Sequence, residues 1–354
     1  MNKHLKALIA ESQEIMHLQG IQSLLSWDQE TYMPSKSIHA RTQQNSVLAQ
    51  VIHQRQTSER FKSLLSPLIN LKTGKVYATD LTAHEEKYVT LMYKDWHKMS
   101  CLPEKFVKKF AALCSEANHH WQRSRQEKSY AIFAPFLKEI IQMSQQKAHY
   151  FDPNQKAYDV LLDEYEPNMT TDALHGLFSN IKIQLKPLMD MISEYPRTFL
   201  DFSGQTFDVK HQQALNESLL SCLGFDATQG RLDTSTHPFT TQFHPSDVRI
   251  TTRYDAHDFM ESISSTIHEI GHGLYEQGLD HMQFGTPQSQ ATSLGIHESQ
   301  SRLWEQCIGC SENFSVYLLS LMRSYFPDLF ASVSKTDFYH YINQVKPSLI
   351  RVAS

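Results

Sequence analysis

The chemistry in this sequence concentrates at His268-Glu269-Ile270-Gly271-His272, two histidines one helical turn apart with a glutamate directly after the first. On an α-helix, positions i and i+4 project from one face, so both imidazoles can meet a single ion at the ~2.0–2.1 Å bond lengths of zinc. Glu269 sits beside the first histidine, where its carboxylate reaches water on the metal rather than the metal itself. The bland alternative is a pair of ordinary imidazoles and a solvated carboxylate. A catalytic zinc needs a third protein ligand and one open position. Glu276, one turn beyond His272, does not supply it, because three residues stacked along a straight helix do not converge on a tetrahedral ion. The third ligand must come from another element. The stretch from His297 to Glu305 offers Glu298, Glu305 and His297, with Glu298 preferred because Arg302, one turn on, is placed to hold its carboxylate.

The elements that must carry these residues are legible. Phe259, Ile263, Ile267, Ile270 and Leu274 recur at three- and four-residue steps, which predicts an amphipathic helix. Asp258 with Glu261 caps its start, and Gly278 is a plausible stop. A second helix opens near Gly295, with Leu303, Cys307 and Ile308 as its packing side, and the loop 278–295 is long enough for an antiparallel pair facing one ion.

Most of the remaining chain has helical periodicity. Leu5, Leu8, Ile9, Ile15, Leu18, Ile21, Leu24 and Leu25 form a first stripe that ends at Met33-Pro34, since proline disfavours helical geometry in the residue before it. Further helices are predicted over Arg41–His53, Ala83–Lys98, Pro103–Gln126, Phe133–Phe151 and Lys210–Leu223. Another is capped by Thr170, with Ala173, Leu174, Leu177, Phe178, Ile181 and Leu185 as its apolar face. Residues Tyr195–Val209 read as irregular. Between Arg231 and Tyr254, Thr, Phe, Val and Ile alternate loosely with polar residues, which predicts a small β ribbon.

Composition narrows the function classes. Only 12 of 354 residues are glycine, which suits a mostly helical protein, and no repeat or flexible linker is visible. The expectation is one mostly α domain spanning 1–354. Net charge is −5 without a basic run, which argues against nucleic-acid binding. The apolar stretch near the N-terminus, Leu5 to Ala10, is too short and polar-flanked for a signal-peptide core, and no run is long enough to span a bilayer. Five cysteines make a poor disulfide framework, so a cytoplasmic location without membrane association is expected. Cys307 and Cys310 have CxxC spacing but no partner pair, and read as ordinary thiols.

At the residues singled out above, the chain resembles the thermostable carboxypeptidase family typified by carboxypeptidase Taq. The resemblance takes in the His-Glu-Ile-Gly-His helix and the run His297-Glu298-Ser299-Gln300-Ser301-Arg302-Leu303-Trp304-Glu305. It also takes in Asp247, Arg249 and Thr251 in an Asp-x-Arg-x-Thr arrangement, His237-Pro238-Phe239 just before, Trp27 to Thr31 with Met33-Pro34, and Tyr158 to Thr170.

The resemblance implies a helical, deep-grooved fold akin to neurolysin. It implies a metal, zinc or cobalt, held by His268, His272 and Glu298, with Glu269 as general base and acid. It further implies peptide substrates with a free C-terminus, release of their last residue, and a homodimer. A free α-carboxylate calls for an arginine fork. Arg249 and Arg351 are the candidates because both fall in family motifs, although Arg249 can equally pair with a neighbour such as Asp247.

The match breaks after Val352, in Lys346 to Ser354, where the family is expected to continue into a further helical segment carrying a Gln-Asp-x-His-Trp motif. The sequence therefore reads as a C-terminally truncated member. Its expected activity is carboxypeptidase, with a metal-binding remnant or an endopeptidase of the same chemistry as alternatives.

Overall fold

A computed structural model describes residues 2–194 and 199–345. They fall into two compact units. Unit 1 comprises Met1–Glu164 with Gln242–Asp247 and Gly278–Ala291; unit 2 comprises Tyr165–Thr241, Val248–Gln277 and Thr292–Ser354.

Unit 1 is built from α1 (Lys3–Thr31), α2 (Ile38–Gln56), α3 (Glu59–Leu65), α4 (Ala83–Cys101), α5 (Glu104–Gln126), α6 (Ala134–Phe151) and α7 (Ala157–Leu162). The predicted helices are all present: α1, α2 and α4 extend beyond their periodic cores, while α5 and α6 each begin one residue later than predicted. Asn2 caps α1 by accepting from the His4 and Leu5 amides, and Thr82 with Glu85 forms a reciprocal capping box at α4. Leu5, Leu8, Leu65, Leu68, Ile69 and Val89 make a fully buried core. The α1 stripe is buried mainly in its N-terminal half: Ile21 and Leu24 are 50% and 41% exposed. Periodicity marks one face of a helix but not how far along that face a neighbour extends.

Unit 2 begins with α8 (Thr171–Glu194), whose first turn is capped by Thr170 Oγ1 accepting from the Ala173 amide at 3.2 Å. Its apolar residues form the expected stripe but face solvent, with Leu177 at 51% and Phe178 at 59% exposure. Helix α9 (Val209–Leu223) ends at Gly224, whose φ of 87° is the left-handed geometry glycine adopts without strain. Strands β1 (Gly230–Thr234), β2 (Thr240–His244) and β3 (Asp247–Thr252) form one sheet in the order β1-β3-β2, of which Gln242–His244 and Asp247 are counted with unit 1. The ribbon read from the sequence is thus a three-stranded sheet. Its β1–β3 pair is parallel, with Arg231 opposite Arg249.

Helix α10 (Phe259–Gln277) starts where Asp258 Oδ1 accepts from the Met260 and Glu261 amides, and it stops just before Gly278. Phe259, Ile263, Ile267 and Ile270 are at most 3% exposed and pack with Phe207, Leu219, Val248, Ile250, Leu318 and Phe330. Burying each such side chain is worth about 1.5–3 kcal/mol, so the rotation of α10 about its axis is tightly set. Helix α11 (Leu294–Arg302) follows and continues into a π-helical turn over Leu303–Ile308. Helices α12 (Glu312–Tyr325), α13 (Pro327–Phe330) and α14 (Lys335–Ile342) complete the unit. Among the described residues, no helix is long and apolar enough to cross a membrane.

The packing side expected for the second helix is corrected. Leu303 is 43% exposed and Cys307 is exposed, while Trp304 packs against the unit 2 core. The wide π turn changes the angular spacing assumed from a straight helix.

Candidate metal centre

A glycine-enabled approach sets the distance between the helices that carry the site. A Cβ on Gly271 would lie 2.7 Å from the Ser301 Cα and 2.8 Å from the Gln300 carbonyl oxygen, so the α11 backbone lies directly against α10. On the opposite side, a Cβ on Gly273 would meet the Phe225 ring at 2.6 Å. The cross-helix pairs run Glu276 with His297, Gly271 with Ser301 and His268 with Glu305. Rising positions on one helix therefore meet falling positions on the other, and the pair is antiparallel as expected.

This register brings three donor atoms together. His268 Nε2 is 3.5 Å and His272 Nε2 is 3.3 Å from Glu298 Oε2. Among the described residues, His268, His272 and Glu298 form the one His/Cys/Asp/Glu cluster whose ligand atoms all lie within 4.8 Å of one another. Tetrahedral zinc with bonds of about 2.0–2.1 Å sets neighbouring ligand atoms about 3.3–3.4 Å apart. The donor set and its spacing fit a metal of that kind. His268 is buried, whereas the Glu298 side chain is about a third exposed.

The other candidate ligands lie one step outside the cluster. Glu305 Oε2 is 2.6 Å from His268 Nδ1, the nitrogen opposite the cluster. His297 stacks on the His272 ring at 4.2 Å and 15°, and its Nε2 is bonded to Glu276 Oε1 at 2.8 Å. Arg302 bridges the carboxylates, with Nε 3.1 Å from Glu298 Oε1 and Nη1 3.2 Å from Glu305 Oε2. Ser301 donates to Glu298 Oε2 at 3.0 Å. Burial pushes the Glu305 carboxyl up, but the hydrogen bond and charge of His268, with Arg302 and Gln306, outweigh it and hold it below its ordinary value.

Glu269 is buried, and its Oε2 accepts from the Thr240 hydroxyl at 2.6 Å. Thr240 escaped the sequence reading. It lies on β2, far from α10 in the chain, and no periodicity links the two; the adjacent His237-Pro238-Phe239 run was the only nearby signal. A cavity of about 1500 Å³ opens onto His268 and Glu269, and Glu305, Arg302, His237 and Arg253 also line it. Arg253 is ion-paired with Glu261. Arg249 lies half-buried on β3 and is not among the cavity-lining residues. Arg351 lies outside the described residues.

An antiparallel helix pair presenting two imidazoles, a carboxylate and an adjacent buried glutamate is the arrangement of a metal-dependent peptidase. The carboxypeptidase Taq (M32) metallopeptidase family model matches residues 7–354. The chain is 35% identical to thermostable carboxypeptidase 1 of Thermus thermophilus, over 98% of this chain and 69% of that protein. It is 34% identical to carboxypeptidase 1 of Bacillus subtilis, over 96% of this chain and 66% of that protein. The solved M32 carboxypeptidase from Deinococcus radiodurans superposes with a TM-score of 0.87 at 32% identity, over 99% of this chain and 69% of that one. This chain belongs to the carboxypeptidase Taq (M32) family of metallopeptidases. It spans about two thirds of the length of the curated relatives it matches.

Proposed function

We propose that the chain acts as a metal-dependent carboxypeptidase, releasing C-terminal residues from peptides with a free C-terminus, with zinc as the metal and cobalt as a substitute. The observation that carries this reading is the convergence of His268 Nε2 and His272 Nε2 on Glu298 Oε2, at 3.5 and 3.3 Å, in a chain of this family. His268, His272 and Glu298 would hold the ion. When bound, it supplies Lewis acidity that polarises a carbonyl and makes water acidic near neutral pH.

The protein's own groups then do the following. Glu269, held at Oε2 by Thr240, takes a proton from the attacking water and returns it to the leaving amine. Glu305 and Arg302 hold His268 and Glu298 in place. Arg249 and Arg351 as partners of the substrate carboxylate rest on the family motifs. Two further parts of the reading have support in the fold. All five cysteines are free thiols, which suits the cytoplasm. The chain passes between the two units after Glu164, Thr241, Asp247, Gln277 and Ala291, which favours one domain over separate modules. A homodimer is carried over from the family and is checked by light scattering.

The test compares a free-acid peptide with its C-terminal amide, with zinc supplied. Release of the last residue from the acid alone supports the reading. Equal cleavage of both makes the chain an endopeptidase, and metal binding without hydrolysis makes it a metal-binding remnant.

A further inference from the structure

The Nδ1 of His268 has a closer partner than its Nε2, which lies 3.5 Å from Glu298 Oε2. Glu305 Oε2 contacts Nδ1 at 2.6 Å, shorter than the 3.2 Å from the same oxygen to Arg302 Nη1. The Glu305 side chain is only 18% exposed and the His268 side chain 4%, so this contact is made mostly out of water. Gln306 Nε2 donates to the other oxygen, Oε1, at 2.9 Å. The carboxylate is therefore gripped at both oxygens with one of them directed at the imidazole. Glu305 lies in the π-helical turn Leu303–Ile308, a rare geometry concentrated at functional sites.

A neutral imidazole carries one N–H. With the proton on Nδ1 and donated to Glu305, Nε2 presents its lone pair toward the cluster. With the proton on Nε2, the ring donates instead toward Glu298 Oε2, 3.5 Å away. That tautomer would occupy His268 and Glu298 with each other and hinder metal entry at both.

We infer that Glu305 is a positioning residue that locks His268 in its Nδ1–H tautomer and keeps the His268–Glu298 pair ready for metal. The inference rests on the reading of His268 as a ligand. It assigns Glu305 a role distinct from ligation, and distinct from a plain ion pair with Arg302, which would leave the imidazole unaffected.

The test uses the 354-residue chain and its Glu305→Gln and Glu305→Leu variants. Zinc affinity is measured by competition with a chromogenic chelator, and ¹⁵N-histidine NMR is recorded on metal-free protein at pH 8, with His268 assigned from a His268→Gln spectrum. Glu305→Leu should weaken zinc binding about 10–100-fold, the usual cost of losing such an outer carboxylate. Glu305→Gln should fall between, since its amide oxygen still accepts from Nδ1–H. The His268 signals should move from the Nδ1–H pattern in the parent toward the Nε2–H pattern in Glu305→Leu. The thermal midpoint of the metal-free protein should stay near that of the parent, which separates positioning from general destabilisation. An unchanged tautomer in Glu305→Leu overturns the inference whatever happens to affinity. Should the parent bind no zinc, the ligand reading falls, and the tautomer spectra alone decide the role of Glu305.

Discussion

The hydroxyl of Thr240 on β2 lies 2.6 Å from the Glu269 Oε2 on α10 and 3.2 Å from the Glu269 carbonyl oxygen. The short contact fixes which way the buried carboxylate faces. A base that must meet one particular water proton gains more from a fixed direction than from extra basicity. The contact also ties the small sheet to the helix that bears both histidines.

Replacing Thr240 by valine keeps the shape and removes the donor. Hydrogen bonds to charged groups are worth about 1.5–3 kcal/mol, so kcat on a free-acid peptide should fall about 10–100-fold with KM little changed. Thr240→Ser should recover most of the loss. A rise in KM at constant kcat would show that Thr240 acts on substrate binding instead.

Metal content separates the cluster from its surroundings. The parent chain should carry about one divalent ion, as a single site with three protein ligands requires. His268→Ala and Glu298→Ala should each lose most of it after dialysis, measured by elemental analysis. His297→Ala should keep it, because His297 Nε2 is bonded to Glu276 and not directed into the cluster. Full retention in Glu298→Ala would remove that residue from the ligand set.

Glu269→Gln should leave metal content unchanged and lower hydrolysis about 10²–10⁴-fold, the usual contribution of a positioned general base. Elemental analysis checks the first half and single-turnover assays with zinc supplied check the second. Activity within a few-fold of the parent would sink the general-base assignment.

Gly271 tests the helix contact itself. The methyl of Gly271→Ala would meet backbone atoms of Ser301 and Gln300 at 2.7 and 2.8 Å, and backbone cannot swing aside as a flexible side chain can. Overpacking of this kind costs about 1–3 kcal/mol, to be read from urea unfolding of the metal-free protein. Because α11 carries Glu298, zinc affinity should fall with it. Lost stability with intact affinity would show that the two helices re-dock without moving the cluster.

The boundaries of α10 were legible from its own residues. Asp258 predicts the cap, Gly278 the stop, and the Phe259–Ile270 stripe the buried face, because capping and periodicity are properties of a chain folding on itself over a few turns. The shared face of His268 and His272 follows from the same arithmetic. The choice among Glu298, Glu305 and His297 does not. Glu298 and Glu305 are seven positions apart, close to two full helical turns, so they share a face and helix geometry alone cannot choose between them. The contact of Gly271 with Ser301 sets the depth and register at which α11 meets α10, and that register sends Glu298 to both Nε2 atoms and Glu305 to Nδ1. Thr240 and the exposure of the α8 stripe were hidden for the same reason. Periodicity records the angle of a side chain about its own helix or strand, whereas the identity and distance of what lies opposite are decided only when separate elements pack.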